Sequence, residues 1–355
     1  MTKIYLIRHA EAEGNIYRRA HGHYNGLITD KGYKQIDKLK VRFDGVKIDA
    51  VYSSDLSRAS TTATAISETR NLKINLTENL REVGMGEWED TTWGDIEYLY
   101  RDMNHAFNHD PSLWSVQGSE PYENVKTRMS SYLIEAAKRH AGETIAAFSH
   151  GFAIRSLLCL LDDIPSNETE KMPYCDNTGV SLLIYDSTGL RIEHKNCNSH
   201  LSEEFSTMAG QTWWHTEQKR LPENLRFIPL NDVASENLLR IFKAKAGDRA
   251  HVDIQYAAFL ADEPIGIVGL DTIKGRNKTT GWISYIHVVP AHRKKQFATQ
   301  LVGMAVSDFR KLKREKLRME IPSGSMGINF MSKCGFNVLD VTDTTCLMEK
   351  DIKNW

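Results

Sequence analysis

Long apolar runs are missing from this 355-residue sequence, and with them any candidate for a membrane-spanning helix, which needs about 20 consecutive nonpolar residues. Cysteine is scarce as well. The five residues, Cys159, Cys175, Cys197, Cys334 and Cys346, are scattered and odd in number, with no CxxC pair and no Cys/His cluster at zinc spacing. That excludes a disulfide-stapled scaffold and a zinc ribbon, and it favours reduced thiols in the cytoplasm. A dominant charge is absent too: 45 Lys and Arg balance 46 Asp and Glu, for a net charge of −1. No global field therefore draws the chain to nucleic acid or to a membrane surface. There is no internal repeat and no low-complexity segment, and residues 1–5 read directly into a strand rather than as a signal peptide.

What is present is the balance of a globular protein, 41% hydrophobic and 26% charged. The length exceeds one ordinary core, so two domains are expected. The charge is unevenly divided. From Leu221 onward there are 20 Lys and Arg against 15 Asp and Glu, whereas the preceding part has 25 against 31. Such asymmetry suits two units with different ligands.

The first part alternates strand and helix patterns. Strands are expected at 3–7, 50–53, 144–149, 180–185 and 190–194, and helices at 30–43, 58–69, 122–140 and 152–161. This alternation predicts an α/β sheet covered by helices on both faces. A polar stretch at 202–221, with the Trp213-Trp214 pair, reads as a linker. Beyond it come a strand near 225–230, a helix, strands at 256–260, 264–271 and 282–289, a turn-rich 274–281, a helix at 296–312, and then a strand, a helix and a final strand. The domains are thus expected at 1–205 and 223–355, joined by a linker at 206–222.

Reactive side chains gather where the strands of the first part end, the edge at which open α/β sheets bind ligands. Arg8-His9 follows an apolar run, and Ser149-His150-Gly151 repeats the strand-end histidine. Arg58 opens a helix, where the dipole favours anions, and Glu82 sits in a glycine-rich loop that runs on to Glu89. A guanidinium clamps an anion, and an imidazole serves as base or nucleophile.

The ordered set Arg8-His9-Ala10-Glu11-Ala12-Glu13-Gly14-Asn15, Leu27-Ile28-Thr29-Asp30-Lys31-Gly32, Ser53-Ser54-Asp55-Leu56-Ser57-Arg58-Ala59, Glu82 with Gly84 and Gly86, Ser149-His150-Gly151 and Asn196–Leu201 resembles the histidine phosphatase (phosphoglycerate mutase-like) superfamily over about residues 1–201. One departure is Ala10, where the family usually has glycine. The resemblance implies a three-layer α/β/α sandwich and phosphomonoester hydrolysis without a metal. It also implies roles: His9 as phosphoryl acceptor, Glu82 as acid and base, and Arg8, Arg58 and a protonatable His150 neutralising the phosphoryl charge. Asn15 would add a neutral donor, and Tyr17, Arg18, His21 and His23 correspond to the substrate rim. His21-Gly22-His23 lacks a third ligand at metal spacing and reads as a surface loop. The 67 residues between Glu82 and His150 resemble the compact phosphatase branch rather than the mutases, though a phosphoglycerate-type mutase stays an alternative.

The second part carries Val288-Val289-Pro290-Ala291-His292-Arg293-Lys294-Lys295-Gln296-Phe297-Ala298, a strand, turn and helix start. It resembles the acetyl-CoA signature of the Gcn5-related N-acetyltransferase (GNAT) family, a mixed α/β fold. Cofactor contacts would fall on Val288, Val289, Arg293, Lys294, Lys295, Gln296, Phe297, Ala298 and Asn329. Gln296 stands where that family has glycine, Met331 where it often has an acidic tyrosine, and His287 is a substitute base. The resemblance implies acetyl-CoA-dependent acetylation of an unidentified amine. The alternative is a CoA-sensing or protein-binding module. The basic run 310–318 reads as a solvated helix end that also approaches a CoA 3′-phosphate, rather than as a nucleic-acid surface.

Overall fold

The computed structural model describes residues 1–211, 223–233, 252–274 and 278–354. The Trp213-Trp214 pair, most of the expected linker, the first expected helix of the second part and the middle of its turn-rich segment lie outside these residues. In chain order the described helices are α1 (Glu13–Tyr17), α2 (Asp30–Arg42), α3 (Ser57–Arg70), α4 (Trp93–Leu99), α5 (Arg101–His109), α6 (Tyr122–Arg139), α7 (Gly151–Leu161), α8 (Phe297–Lys311) and α9 (Met326–Lys333). None is long and apolar enough to cross a membrane.

The chain divides into two compact units. The first comprises Met1–Ala12, Ala20–Thr91 and Leu99–Leu221, and the second Glu13–Arg19, Thr92–Tyr98 and Pro222–Trp355. The first is built on six strands: β1 (Thr2–Arg8), β2 (Ala50–Ser54), β3 (Ile74–Thr77), β4 (Thr144–Ser149), β5 (Val180–Asp186) and β6 (Gly189–Cys197), in the order β3-β2-β4-β1-β5-β6. β1 to β4 are mutually parallel, and the β5–β6 hairpin closes the sheet antiparallel. The short edge strand β3 and the helices α4 and α5 were not anticipated.

Both faces of β1 are covered, which is why it reads as an apolar run rather than an alternation. Ile7 belongs to a core with Ile36, Leu39 and Phe43, which α2 and its C-terminal end bring, and with Ala59, Ala63 and Ile66 of α3. Helices α6 and α7 pack on each other and on β1. The start of α2 is fixed by Thr29, whose hydroxyl accepts the Gly32 N–H at 3.0 Å. The described part of the expected linker is tied to this unit: Ser206 Oγ donates to Asp176 at 2.6 Å and Thr207 Oγ1 to Glu11 at 3.0 Å.

The second unit holds β7 (Leu225–Pro229), β8 (Ile254–Leu260), β9 (Glu263–Asp271), β10 (Thr280–Val288), β11 (Lys316–Pro322), β12 (Asn337–Val341) and β13 (Thr345–Asp351), in the order β12-β13-β11-β10-β9-β8-β7. The single final strand expected from the sequence is the hairpin β12–β13, whose first strand is exposed throughout. Helix α8 lies close on the sheet, since a Cβ at Gly281 would meet the Phe309 ring at 2.3 Å.

The basic run 310–318 is a solvated helix end only at Lys311, Leu312 and Lys313, which are exposed where α8 stops. Arg310 is buried, donating from Nε to the Ile352 carbonyl at 2.6 Å and pairing with the buried Glu13 carboxylate at 2.8 Å. Arg318 lies on β11 and bonds Glu349 at 2.7 Å.

In the first unit, Gly86 has φ +56°, and a Cβ there would lie 2.2 Å from the Gln117 carbonyl oxygen. Backbone strain and steric conflict together predict that Gly86→Ala costs roughly 2–4 kcal/mol. A thermal melt followed by circular dichroism should fall by roughly 5–15 °C; an unchanged melting temperature contradicts this reading of the loop.

Candidate active site

Parallel pairing of β1 with β4 sets Arg8 opposite Ser149. Each strand is followed by a histidine, so register alone brings His9 beside His150, with ring centroids 5.1 Å apart. The His9 N–H donates to the Ser149 carbonyl at 3.0 Å, and the Arg8 N–H to Gly179 at 3.1 Å. The Asn177 side-chain amide donates to the His9 carbonyl at 2.9 Å. The Cys175 carbonyl accepts from Arg8 Nη1, while Arg8 Nε is buried without a partner. Gly151 allows this placement, since a Cβ there would crowd the Arg8 guanidinium at 3.2 Å.

The ring of His9 has a defined tautomer. Its Nδ1 lies 2.7 Å from the Ala10 carbonyl. A carbonyl only accepts, so Nδ1 carries the proton and Nε2 presents a lone pair. Burial first, then the nearby Arg58 and Arg8 charges, hold the His9 pKa well below the ordinary imidazole range. The ring is therefore neutral and nucleophilic at neutral pH. The Ala10 departure is accommodated: the residue is fully buried, its N–H donates to Thr62 Oγ1 at 2.9 Å, and its φ is not positive.

His150 differs from its expected role as a positive partner. It is completely buried, and burial, Arg58 and His9 together hold its pKa well below the ordinary range. Its Nε2 lies 2.9 Å from Ser54 Oγ, which already accepts the Leu56 N–H.

Arg58, on the first turn of α3, is 2% exposed. Its guanidinium donates to three carbonyls, those of Tyr24 at 2.8 Å, Gly22 at 2.7 Å and His21 at 3.2 Å, rather than to a carboxylate. Burial pulls its pKa down to about 10, with Glu82 and Glu89 opposing. Glu82 is held at the start of α7. Its Oε1 accepts the N–H groups of Val83 at 3.0 Å and Ala153 at 2.8 Å, and Oε2 accepts Phe152 N–H at 3.0 Å. Arg128 Nη2 donates to the Glu82 carbonyl at 2.9 Å.

The expected rim residues are divided between the two units. His21 belongs to the first unit and reaches Arg58 through its carbonyl. Its ring is buried 3.5 Å from Asp90 and packs against Tyr24, whereas His23 on the same loop is exposed. Among the described residues no His, Cys, Asp or Glu group of metal-binding size forms. Asn15, Tyr17 and Arg18 belong to the second unit. Tyr17 is not a rim residue: it is 2% exposed in a core with Leu301, Val302 and Phe336, because its ring packs against the bare Cα of Gly303. Arg18 bonds Asn224 at 2.8 Å.

In the second unit, β10 pairs with β11 only from Thr280–Lys316 to Ile283–Met319. A bulge at Ser284 interrupts its ladder with β9, and Tyr285 to Val288 then pair with β9 alone. The two parallel strands part there, leaving backbone groups of β10 unladdered on one side. Beyond β10, Gln296 caps α8 in the left-handed conformation, φ +64°, and Lys294 has φ +63°. The family's glycine thus falls on a backbone that glutamine adopts at a cost of about 1 kcal/mol. Arg293 Nε donates to the Val288 carbonyl at 2.9 Å. Val288 and Phe297 are buried, whereas Lys294, Lys295, Gln296 and Asn329 are exposed. Met331 is buried in the core, and His287 stands on β10 opposite Ile267.

Several site residues escaped the sequence reading: Ser54 under His150, Thr62 under Ala10, Asn177 and Cys175 behind the Arg8-His9 pair, and Arg128 behind Glu82. They act on neighbouring backbone or rings from other elements, and no spacing marks them. The His9 geometry predicts that imidazole ¹⁵N resonances keep the neutral Nδ1–H pattern as pH falls through 6.5. Burial and two guanidinium charges disfavour the cation, so the midpoint shifts downward; a midpoint near 6.5 contradicts the assignment.

Residues 4–198 match the histidine phosphatase superfamily (branch 1), and residues 213–336 match the acetyltransferase (GNAT) family. Phosphoserine phosphatase 1 of Hydrogenobacter thermophilus is 28% identical over 203 residues, covering 57% of this chain and 96% of its own length. Among solved structures, Bacillus stearothermophilus YhfR is similar at a TM-score of 0.55 and 29% identity, covering 57% of this chain and all of its own. An Entamoeba histolytica phosphoserine phosphatase, in complex with 3-phosphoglyceric acid, is similar at a TM-score of 0.51 and 26% identity over the same shares. With its strand-end histidines, buried arginines and this match across more than half its length, the chain belongs to the histidine phosphatase superfamily and carries a GNAT-family domain after it.

Proposed function

We propose that the first unit hydrolyses small phosphomonoesters through a phosphohistidine on His9. The observation that carries this reading is the neutral His9 ring, its Nδ1 proton given to the Ala10 carbonyl and its Nε2 lone pair free, in the company of two arginines. Nε2 attacks phosphorus in line, the ester P–O bond breaks, and the leaving oxygen takes a proton from Glu82. Oε2 of Glu82, with a single N–H bond, keeps a lone-pair position for that proton. Water then attacks the phosphohistidine and returns a proton to Glu82, releasing phosphate. The unpartnered Arg8 Nε and the buried Arg58 stabilise the transferring charge, and these fixed cations supply what a metal would otherwise provide. The relatives' names make phosphoserine the first substrate to try. The five free thiols suit a reducing compartment, the cytoplasm.

For the second unit we infer acetyl-CoA binding and acetyl transfer to an amine. The parting of β10 from β11 and the left-handed Gln296 at the α8 start fit an extended pantetheine chain and a pyrophosphate. Acetyl-CoA supplies the thioester. Lys295, Gln296 and Ala298 would meet the pyrophosphate, Val288 and Val289 would offer backbone groups to the pantetheine arm, and His287 is the candidate base. The burial of Met331, which has no proton to give, favours a second reading, a CoA-sensing module without turnover.

His9→Ala should reduce hydrolysis of an aryl phosphate to background; full activity in that variant overturns the mechanism. Glu82→Gln should slow an alkyl phosphate by roughly 100-fold or more and a nitrophenyl ester far less, because only the poor leaving group needs the proton. Calorimetry with acetyl-CoA, followed by an amine panel, separates transferase from sensor. Heat of binding with turnover on an amine supports the transferase, binding with no turnover supports the sensor, and no binding contradicts both.

A further inference from the structure

Among the described residues no carboxylate hydrogen-bonds Arg58, yet its direction is fixed. The carbonyls of His21, Gly22 and Tyr24 hold its two terminal nitrogens. The N–H groups of the same peptide turn the other way, onto Glu89. Glu89 Oε1 accepts from His23 at 2.7 Å and from Met85 at 3.0 Å; Oε2 accepts from Gly22 at 3.2 Å and Tyr24 at 3.0 Å. One carboxylate thus takes four backbone N–H bonds, charge-assisted and close to its full acceptor capacity. The segment 21–24 is clamped between an anion on its N–H side and a guanidinium on its carbonyl side. Gly22 is required for the approach, since a Cβ there would stand 2.4 Å from Glu89 Oε1.

We propose that Glu89 is a positioning residue for phosphoryl transfer, aiming Arg58 through the peptide 21–24; this rests on the phosphatase reading of the site. The arrangement has a physical advantage over a direct ion pair. A carboxylate on Arg58 would compete with the phosphoryl oxygens for the same N–H donors. An indirect clamp orients the guanidinium while leaving its charge for substrate. The side chain sits on the loop 82–89 that also supplies Glu82, so one loop sets both the acid and the anion clamp.

The test is a double-mutant cycle on the full chain, with an aryl phosphate as substrate. Arg58→Ala should lower kcat/KM by about 100-fold or more, and Glu89→Gln by about 10-fold or more, with the loss mainly in kcat. In the Arg58→Ala background Glu89→Gln should cost less than about 2-fold, because its target is gone. Gly22→Ala, whose Cβ would stand 2.4 Å from both Glu89 Oε1 and the Val83 carbonyl oxygen, disturbs the same clamp without changing charge and should follow the same cycle. Multiplicative losses in both cycles overturn the proposal. Failure of both Glu89→Gln and Gly22→Ala to fold, read by circular dichroism, also overturns it, since Glu89 would then be a staple of the fold. An Arg58→Ala variant with undiminished kcat/KM removes the phosphatase reading itself, a separate outcome.

Discussion

The in-register parallel pairing of β1 and β4 is the constraint from which the site is built. Two strands end at the same height, and each is followed by a histidine. Every other contact refines that placement. The loop 175–179 braces the Arg8-His9 backbone, Ser54 orients His150, and Thr62 fixes Ala10. Taking two imidazoles out of water in the presence of two guanidinium groups has a definite electrostatic consequence. Both rings are driven neutral, and the positive charge concentrates on arginines that cannot lose it at physiological pH. In this cation-rich, buried site neutral carbonyls solvate the Arg58 guanidinium, and the charges of Glu82 and Glu89 oppose the cost of its burial. An anionic substrate then finds donors already oriented, which is how preorganised electrostatics lowers a barrier.

The core of this arrangement was legible in the residues because buried parallel strands announce themselves as apolar runs, and the reactive side chains stand directly at their ends. Arg8, His9 and His150 could be found that way, whereas Arg58 was marked by its helix start and Glu82 by its glycine-rich loop. What failed was charge and partnership. His150 read as a protonatable group because burial is invisible in a strand-end histidine. Tyr17 read as a rim residue because it corresponds to one in the family, and its burial in the second unit's core has no mark in the sequence. Arg310 read as solvated because it sits in a basic run, whereas its partner Glu13 lies nearly 300 residues earlier in the chain. β12 has no burial alternation to betray it, and β3 is four residues long.

The second unit is a contrast in how departures from a family pattern are tolerated. Gln296 keeps the left-handed backbone that glycine would adopt freely, so the turn survives the substitution with some strain. Met331 keeps the packing but surrenders the proton. The turn is thus kept at Gln296, while the buried Met331 has no proton to donate.

The central claim is that His9 carries the phosphoryl group. Rapid quench of the enzyme with ³²P-labelled aryl phosphate, followed by peptide mapping, tests it directly. The account predicts a base-stable, acid-labile label on His9 that forms within one turnover and decays at the rate of phosphate release. Label on another residue, or steady turnover with no covalent label at any quench time in wild type and Glu82→Gln alike, would contradict it.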